Sequence, residues 1–212
     1  MSIGRYEMSG PEGEFEPGSN GLVLRNLLGI VDPEEMAEAE SEALVAVLVR
    51  LLNAQFVGRR FTASDIRLLH REWLGGIYSW AGEYRNVNVS RQGFLFAAAH
   101  VIPTLMSALE QGPLAQHTPC EPPTMIEVAR ALAVTHAELI LIHPFREGNG
   151  RSARLLSQAM AIQAGYAGLD FGPLDSDNAG YVSAIHRAMD REYTTMESMF
   201  MRVLEQSPKR RG

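Results

Sequence analysis

The residues with the most chemical potential lie together, in His143-Pro144-Phe145-Arg146-Glu147-Gly148-Asn149-Gly150-Arg151-Ser152-Ala153-Arg154. This segment joins the end of one apolar helical pattern to the start of the next. Gly148 and Gly150 flank Asn149, which permits unusual backbone angles and close approach of a ligand. The amides that open the following helix point toward the loop, and the helix dipole favours an anion there. Arg151 and Arg154 are three apart and share a helix face. Two guanidiniums above an amide nest suit a polyphosphate. Glu147 is an acid among these donors. Beside a phosphate site it makes sense when a cation lies between, and Mg²⁺ takes one or two carboxylates plus phosphate oxygens. His143 stands at the rim, where a base near neutral pH can accept a hydroxyl proton. Together these groups describe phosphoryl or nucleotidyl transfer.

Each residue also has a plainer reading. Two glycines can make a helix-linking turn, a histidine after an apolar helix can be a cap, and Arg154 can be a surface charge. Phe145, between polar neighbours and without chemistry to offer, belongs in the core. The conjunction within one short segment favours a site. Other histidines carry less. His136-Ala137-Glu138 matches half of a zinc deaminase signature, but the other half needs two cysteines and the chain has only Cys120. His136 is expected to be packed and hydrogen-bonded on the apolar face of its helix. His136 and His143, seven apart, lack a third metal ligand of suitable spacing. His70, His100, His117 and His186 carry no motif. Tyr181 can stack on a base across the pocket or pack in the core or rim, and the second is the expectation.

The elements that position this segment read as helices. Asp32-Pro33-Glu34-Glu35 is a helix start, with an Asp cap, Pro in the first turn and acid behind it, and the helix should run to about Asn53. A second starts near Thr62 and carries Leu68, Leu69, Trp73 and Leu74. Residues 84–96 change character. Val87 and Val89 alternate with Asn86, Asn88 and Ser90, then Arg91-Gln92-Gly93 turns into Phe94-Leu95-Phe96, a hairpin pattern. Helical spacing returns from Pro103 and is clearest from Pro123 to Ile142, where Met125, Val128, Leu132, Thr135, Leu139 and Ile142 step by three or four. Pro144 ends it, and another helix is expected from about Arg151 to Ala164. Ser176 should cap a helix holding Tyr181, Val182, Ile185 and Met189. A last one carries Met196, Met199, Phe200, Val203 and Leu204. Residues 1–20, rich in Gly, Glu, Pro and Ser, read as a flexible arm, residues 21–206 as the domain, and residues 207–212 as a loose basic tail. The expected fold class is all-α: a single helical domain with one β-hairpin.

Bulk properties narrow the classes. The chain has 212 residues, 46% of them hydrophobic, enough to bury one core. A net charge of -6 argues against a general nucleic-acid binder, which needs a basic surface. A single cysteine forms no internal disulfide and suits a reducing compartment. No run of about 18 apolar residues appears, so no membrane span is expected. The opening Met1-Ser2-Ile3-Gly4-Arg5 is no secretory signal. A cytoplasmic location is therefore expected, and the Asn88-Val89-Ser90 sequon should carry no glycan.

The 143–154 segment resembles the Fic signature, His-x-Phe-x-Asp/Glu-Gly-Asn-Gly-Arg-x-x-Arg, at every fixed position. Gly82-Glu83-Tyr84-Arg85-Asn86-Val87-Asn88-Val89-Ser90, followed by Phe94-Leu95-Phe96, resembles the Fic flap. Asn26-Leu27-Leu28-Gly29-Ile30 and the acidic helix after it resemble the entry region of compact bacterial Fic toxins. The resemblance implies an all-helical Fic domain with a flap over the site, ATP as co-substrate and AMP transfer to a Tyr, Ser or Thr hydroxyl of a target protein. It implies that His143 deprotonates that hydroxyl and that Glu147 holds Mg²⁺ on the α- and β-phosphates. Gly148, Asn149 and Gly150 would form the α-phosphate hole, Arg151 would hold the β- and γ-phosphates, and Arg154 the γ-phosphate. The flap residues Asn86, Val87, Asn88, Val89, Ser90, Phe94, Leu95 and Phe96 would pair with an extended target segment by strand addition. Compact bacterial members act on type II topoisomerase subunits, which makes these candidate targets here.

Gly150 separates the chain from the kinase-like branch of the family, which has Lys there. The alternatives are another Fic-type phosphate-group transfer and a non-catalytic Fic-fold binding module. Many Fic proteins carry an inhibitory helix, Ser/Thr-x-x-x-Glu-Gly/Asn, whose Glu pairs with the second arginine of the motif, here Arg154. Glu-Gly occurs only at Glu12-Gly13 and Glu147-Gly148, with Met8 and His143 four residues before. Arg154 is therefore expected to have no inhibitory partner in this chain. A small antitoxin would supply the glutamate in trans to a toxin, or residues 1–20 would inhibit in cis.

Overall fold

Caps and burial fix the elements in the computed structural model, which describes residues 7–9, 14–54, 56–91, 93–122 and 124–210. A short strand, β1 (Glu7–Ser9), precedes α1 (Pro33–Asn53). Asp32 Oδ1 accepts from the amides of Glu34 and Glu35 at 2.9 and 3.0 Å, and Pro33 sits where no N–H is needed. Thr62 opens α2 (Ala63–Leu74) with a reciprocal capping box to Asp65. The strands β2 (Asn88–Arg91) and β3 (Phe94–Leu95) follow, antiparallel to each other. Gln92, in the expected turn, lies outside the described residues. α3 (Ile102–Leu109) continues through a π-helical stretch, Glu110–Leu114, into α4 (Ala115–His117). Then come α5 (Met125–Ile142), α6 (Asn149–Gln163), α7 (Gly172–Asp175), α8 (Asn178–Ala188) and α9 (Thr194–Gln206).

α5 is the centre of the domain. It is buried on nearly all sides, from Val128 to Ile142, and packs against α3, α6, α8 and α9. A helix apolar all round is a core helix. Its small residues Ala129, Ala131, Ala133 and Ala137 let these neighbours approach, and Met196, Met199, Phe200 and Val203 of α9 fill the core. α6 contributes Ala153, Leu155, Leu156, Ala159 and Met160. The domain is mostly helical, as the periodicity indicated. Among the described residues no helix is long and apolar enough to cross a membrane.

Four local expectations change. α6 begins at Asn149 rather than Arg151. Asp177, not Ser176, caps α8: its Oδ1 accepts from Gly180 N–H at 2.9 Å, while the Ser176 hydroxyl donates to Pro173 O of α7. Pro123 lies outside the described residues, and Thr124 caps α5 with a capping box to Glu127. The termini are also tied down where they are described. Glu7–Ser9 of the expected arm pair with β2, and the sheet order is β1-β2-β3 rather than a lone hairpin. Glu14 and Glu16 are bonded back to residues 23–26. Residues 1–6 and 10–13 of the arm and 211–212 of the tail lie outside the described residues. In the tail, Ala167 N–H donates to Pro208 O and Arg210 N–H to Gly165 O, both at 2.8 Å.

Two buried histidines stitch the layers. His136 meets the Ser157 hydroxyl at 3.2 Å and the Tyr181 hydroxyl at 2.8 Å, so Tyr181 serves the core network. His70 accepts from Gly82 N–H at 2.8 Å through Nδ1 and donates to Glu147 O at 3.1 Å through Nε2. Its ring stacks on Phe145 at 3.9 Å. Burial, the dominant cause, lowers His136 to about 3 and His70 to about 4 from an ordinary value of 6.5. Below pH 6.5 the unfolded chain therefore binds protons at these rings that the folded chain excludes. Stability should fall as the pH drops from 6.5 toward 4, by about 1.4 kcal/mol per pH unit for each ring. Urea unfolding at about pH 7, 6 and 5 measures this. An unfolding free energy that stays level down to pH 5 would contradict neutral, buried rings.

Candidate functional site

His143 terminates α5 in the left-handed conformation, φ 53°, with its N–H donating to Leu139 O at 3.0 Å. This conformation is uncommon for a non-glycine residue and turns the chain sharply into Pro144. Nδ1 lies 3.0 Å from Ile140 O. A carbonyl only accepts, so Nδ1 carries the proton and Nε2 is left as the acceptor nitrogen. Arg85, 2% exposed, locks the residue from the other side. Its Nε donates to His143 O at 2.7 Å, and its two terminal nitrogens donate to Val87 O at 2.6 Å and Ala97 O at 2.5 Å. The Phe96 ring stacks on the imidazole at 3.6 Å, and His143 is 4% exposed. Burial first, then the charges of Arg85 and Arg91, lower its pKa to about 3, against an opposing pull from the Ile140 bond. The ring is neutral at neutral pH, the form a general base requires.

The loop after His143 is closed by Asn149. Its Oδ1 accepts from Phe145 N–H and its Nδ2 donates to Phe145 O, both at 2.8 Å, with the residue 1% exposed. Both ends of the buried carboxamide are thus bonded to Phe145. Phe145 is fully buried, as expected. Gly148 adopts φ +77°, and a Cβ there would lie 2.6 Å from the Trp73 ring. The helix behind it leaves the amides of Asn149, Gly150 and Arg151 without intrahelical acceptors. A Cβ built on Gly150 meets nothing within 4 Å, so the Cβ side of that residue is open. Glu147 Oε1 accepts from Gly148 N–H at 2.9 Å and lies 3.8 Å from Arg151. Among the described residues no group of three or more His, Cys, Asp and Glu could hold a metal. One carboxylate beside an anion nest suits a Mg²⁺ ion that draws its other ligands from phosphate and water. It does not suit a zinc site.

The two arginines share a helix face but diverge. Arg151 reaches toward α1, 2.8 Å from Glu40 Oε2, with its guanidinium 4.5 Å from the centre of the Trp73 ring. Glu40 is 7% exposed. Its Oε1 accepts from the Tyr78 hydroxyl at 2.7 Å, and its backbone O accepts from Trp73 Nε1 at 2.9 Å. Arg154 reaches toward α7 and forms a two-pronged pair with Asp175, at 2.5 and 3.2 Å, over the Phe171 ring. Arg154, for which the sequence offers no inhibitory-helix glutamate, thus pairs with an aspartate outside any such pattern. Glu40, Asp175 and Arg85 are site residues that the sequence reading missed. Glu40 hides in an acidic helix, and Asp175 in a run of helix-capping types. Arg85 carried one signal, a lone cation at the root of an alternating apolar strand.

The expected flap residues surround this centre. Val87 and Val89 are buried, whereas Asn86 and Asn88 are exposed, and Asn88 Oδ1 accepts from Ala99 N–H at 2.9 Å. Phe94 stacks on His186 of α8 at 5.0 Å, and Leu95 is 75% exposed. A roof of two strands thus lies on the histidine at the end of α5, beside a helix N-terminus with two arginines. The sequence profile of the Fic/DOC family matches residues 60–161, which contain this arrangement apart from Glu40, Phe171, Asp175 and His186.

The chain carries a Fic/DOC family domain.

The protein adenylyltransferase VbhT of Bartonella schoenbuchensis is 30% identical over 144 residues, 68% of this chain and 30% of that protein. The protein adenylyltransferase Fic of Nematostella vectensis is 33% identical over 106 residues, 50% of this chain and 24% of that protein. The chain thus spans less than a third of the length of these curated relatives. The fold matches the BepC protein of Bartonella tribocorum, solved with AMPPNP, at a TM-score of 0.71 and 24% identity, covering 89% of this chain and 93% of that one. It also matches the N-terminal Fic domain of a Bartonella quintana effector, solved with ADP, at a TM-score of 0.73 and 24% identity, over 89% and 92% of the two chains.

Two substitutions test the geometry of this Fic domain. Gly148→Ala places a side chain in left-handed backbone and against Trp73, and should destabilise by more than the ~1–2 kcal/mol of the backbone alone. A denaturant midpoint unchanged from the parent would contradict the close approach. Asp175→Asn should leave stability within about 1 kcal/mol, because the pair is exposed. It should also raise affinity for inorganic tripolyphosphate by up to about fivefold, by releasing Arg154. Urea unfolding reads the first arm and calorimetric titration the second, and weaker binding would show that Asp175 presents Arg154 rather than competing for it.

Proposed function

We propose that this Fic domain transfers AMP from ATP to a Tyr, Ser or Thr hydroxyl of another protein. The observation that carries the reading is His143 itself: neutral, with Nδ1–H committed to Ile140 O, Nε2 as acceptor and the N-terminal amides of α6 one loop away. In that arrangement the target hydroxyl oxygen attacks the α-phosphorus, its proton passes to Nε2, and the bond to the bridging oxygen breaks to release pyrophosphate. The amides of Asn149, Gly150 and Arg151 would receive the α-phosphate charge, and Arg154 the far end of the triphosphate. Glu147 would hold Mg²⁺, which neutralises phosphate charge when bound. The naming of VbhT and of the Nematostella protein as adenylyltransferases supports the same chemistry. Gly150 favours it over phosphate transfer, since the kinase-like branch places Lys where this chain leaves open space.

Control and target form the finer part of the proposal. The domain would act as a cytoplasmic toxin, held off by a small antitoxin whose glutamate engages Arg154. Such a glutamate would have to displace Asp175. Type II topoisomerase subunits are the first targets to test.

Incubation with ATP and Mg²⁺ in a bacterial lysate, followed by intact-mass and labelled-ATP detection, should show addition of AMP to a protein. Addition of phosphate alone would instead support kinase-like transfer. His143→Ala should cut transfer by about 10²–10⁴-fold while ATP still binds. Transfer at the parent rate by the folded variant would remove His143 as the base. EDTA or Glu147→Ala should suppress transfer, and full activity in EDTA would remove the metal.

A further inference from the structure

The flap has one edge that a partner strand can use beside β2, and this chain fills it. Val89 O accepts from Phe96 N–H at 3.2 Å, so the main-chain groups of Val89 face β3. Main-chain groups alternate along a strand. Those of Asn88 and Ser90 therefore face the opposite edge, which leads away from β3. There β1 pairs antiparallel, with Glu7 opposite Ser90, Met8 opposite Val89 and Ser9 opposite Asn88. By the same alternation, Glu7–Ser90 and Ser9–Asn88 are the hydrogen-bonded pairs.

Pairing of this kind is main-chain chemistry and accepts any extended segment. A segment of the same chain has the advantage of proximity. Glu14 is anchored to Arg25 by backbone and side chain, and only residues 10–13 separate it from Ser9. So short a tether gives an effective concentration in the millimolar range, which a separate protein would have to match. The strand it holds belongs to the same roof whose Phe96 covers His143 and whose roots Arg85 ties to the His143 carbonyl.

We infer that residues 7–9 are an intramolecular occupant of the flap edge that a target segment would use, so that a target must displace them before its hydroxyl is presented to His143. The inference rests on the adenylyl-transfer reading for the word target, and on the observed sheet for the occupied edge. An edge open one-tenth of the time weakens apparent target affinity about tenfold. The effect lies in affinity, so it should vanish when target is saturating.

The test uses the full chain and its Glu7→Pro/Ser9→Pro variant, which removes the two donors facing Ser90 O and Asn88 O. By hydrogen exchange, the amides of Asn88 and Ser90 should be protected in the parent and exchange at least about tenfold faster in the variant. The Phe96 amide, bonded within the hairpin, should be unchanged. With labelled ATP and bacterial lysate, the variant should label proteins up to about tenfold faster. Three results would overturn the inference: fast exchange of Asn88 and Ser90 in the parent, equal labelling by both proteins despite lost protection, or slower labelling by the variant. If neither protein labels anything, the adenylyl-transfer reading fails by itself. The edge is then decided by a synthetic peptide of residues 5–11, added at a few millimolar, the level the tether supplies. Renewed protection of Asn88 and Ser90 in the variant supports one strand at a time on this edge, and none overturns it.

Discussion

The structure depends on one buried cation. Arg85 places all three of its donor directions on main-chain carbonyls: His143 at the end of α5, and Val87 and Ala97 at the two roots of the flap. A buried guanidinium without partners would be very costly, so these carbonyls must stay where they are. His143 is then held in left-handed backbone, and the flap is fixed over it by the same side chain. Loss of Arg85 would leave two buried acceptors, a half-buried one at Ala97 and the left-handed turn uncompensated. The roof and His143 are thus one unit, although more than forty residues separate them in the chain.

A second organising feature is how the charge around the N-terminus of α6 is balanced. Positive charge at the head of α6 is balanced by carboxylates from elements far away in sequence. Arg151 has Glu40, itself held by Tyr78, and Arg154 has Asp175. The two pairs differ in kind. Glu40 is buried and bonded on both oxygens, and it fixes Arg151 against Trp73. Asp175 is exposed, and exposed pairs are weak enough for a phosphate to exchange with them. The arginine nearer the core is therefore built in, and the outer one is available.

The amide side chain of Asn149 shows a similar division of labour. Its position in the motif suggests an anion ligand, yet the carboxamide clasps Phe145 from both sides and shapes the loop. Gly148 belongs to the same task, since only a residue without Cβ clears Trp73 at that angle. The main-chain amides of the loop stay in place because these side chains hold it.

The order of the helices, the position of the hairpin and the 143–154 segment were legible in the sequence because each rests on local rules: capping boxes, three-and-four spacing, strand alternation and glycine-flanked turns. His143, Glu147 and the glycine-flanked turn lie within a few residues of each other, so sequence proximity alone brought them together. What required the tertiary structure came from long-range pairing. Neither Glu40 on Arg151 nor Asp175 on Arg154 has a local signature, because an ion pair is set by distance in space. The strand at Glu7–Ser9 was invisible for the same reason. Three residues in a Gly- and Glu-rich segment carry no strand pattern of their own, and only the open edge of β2 makes them one.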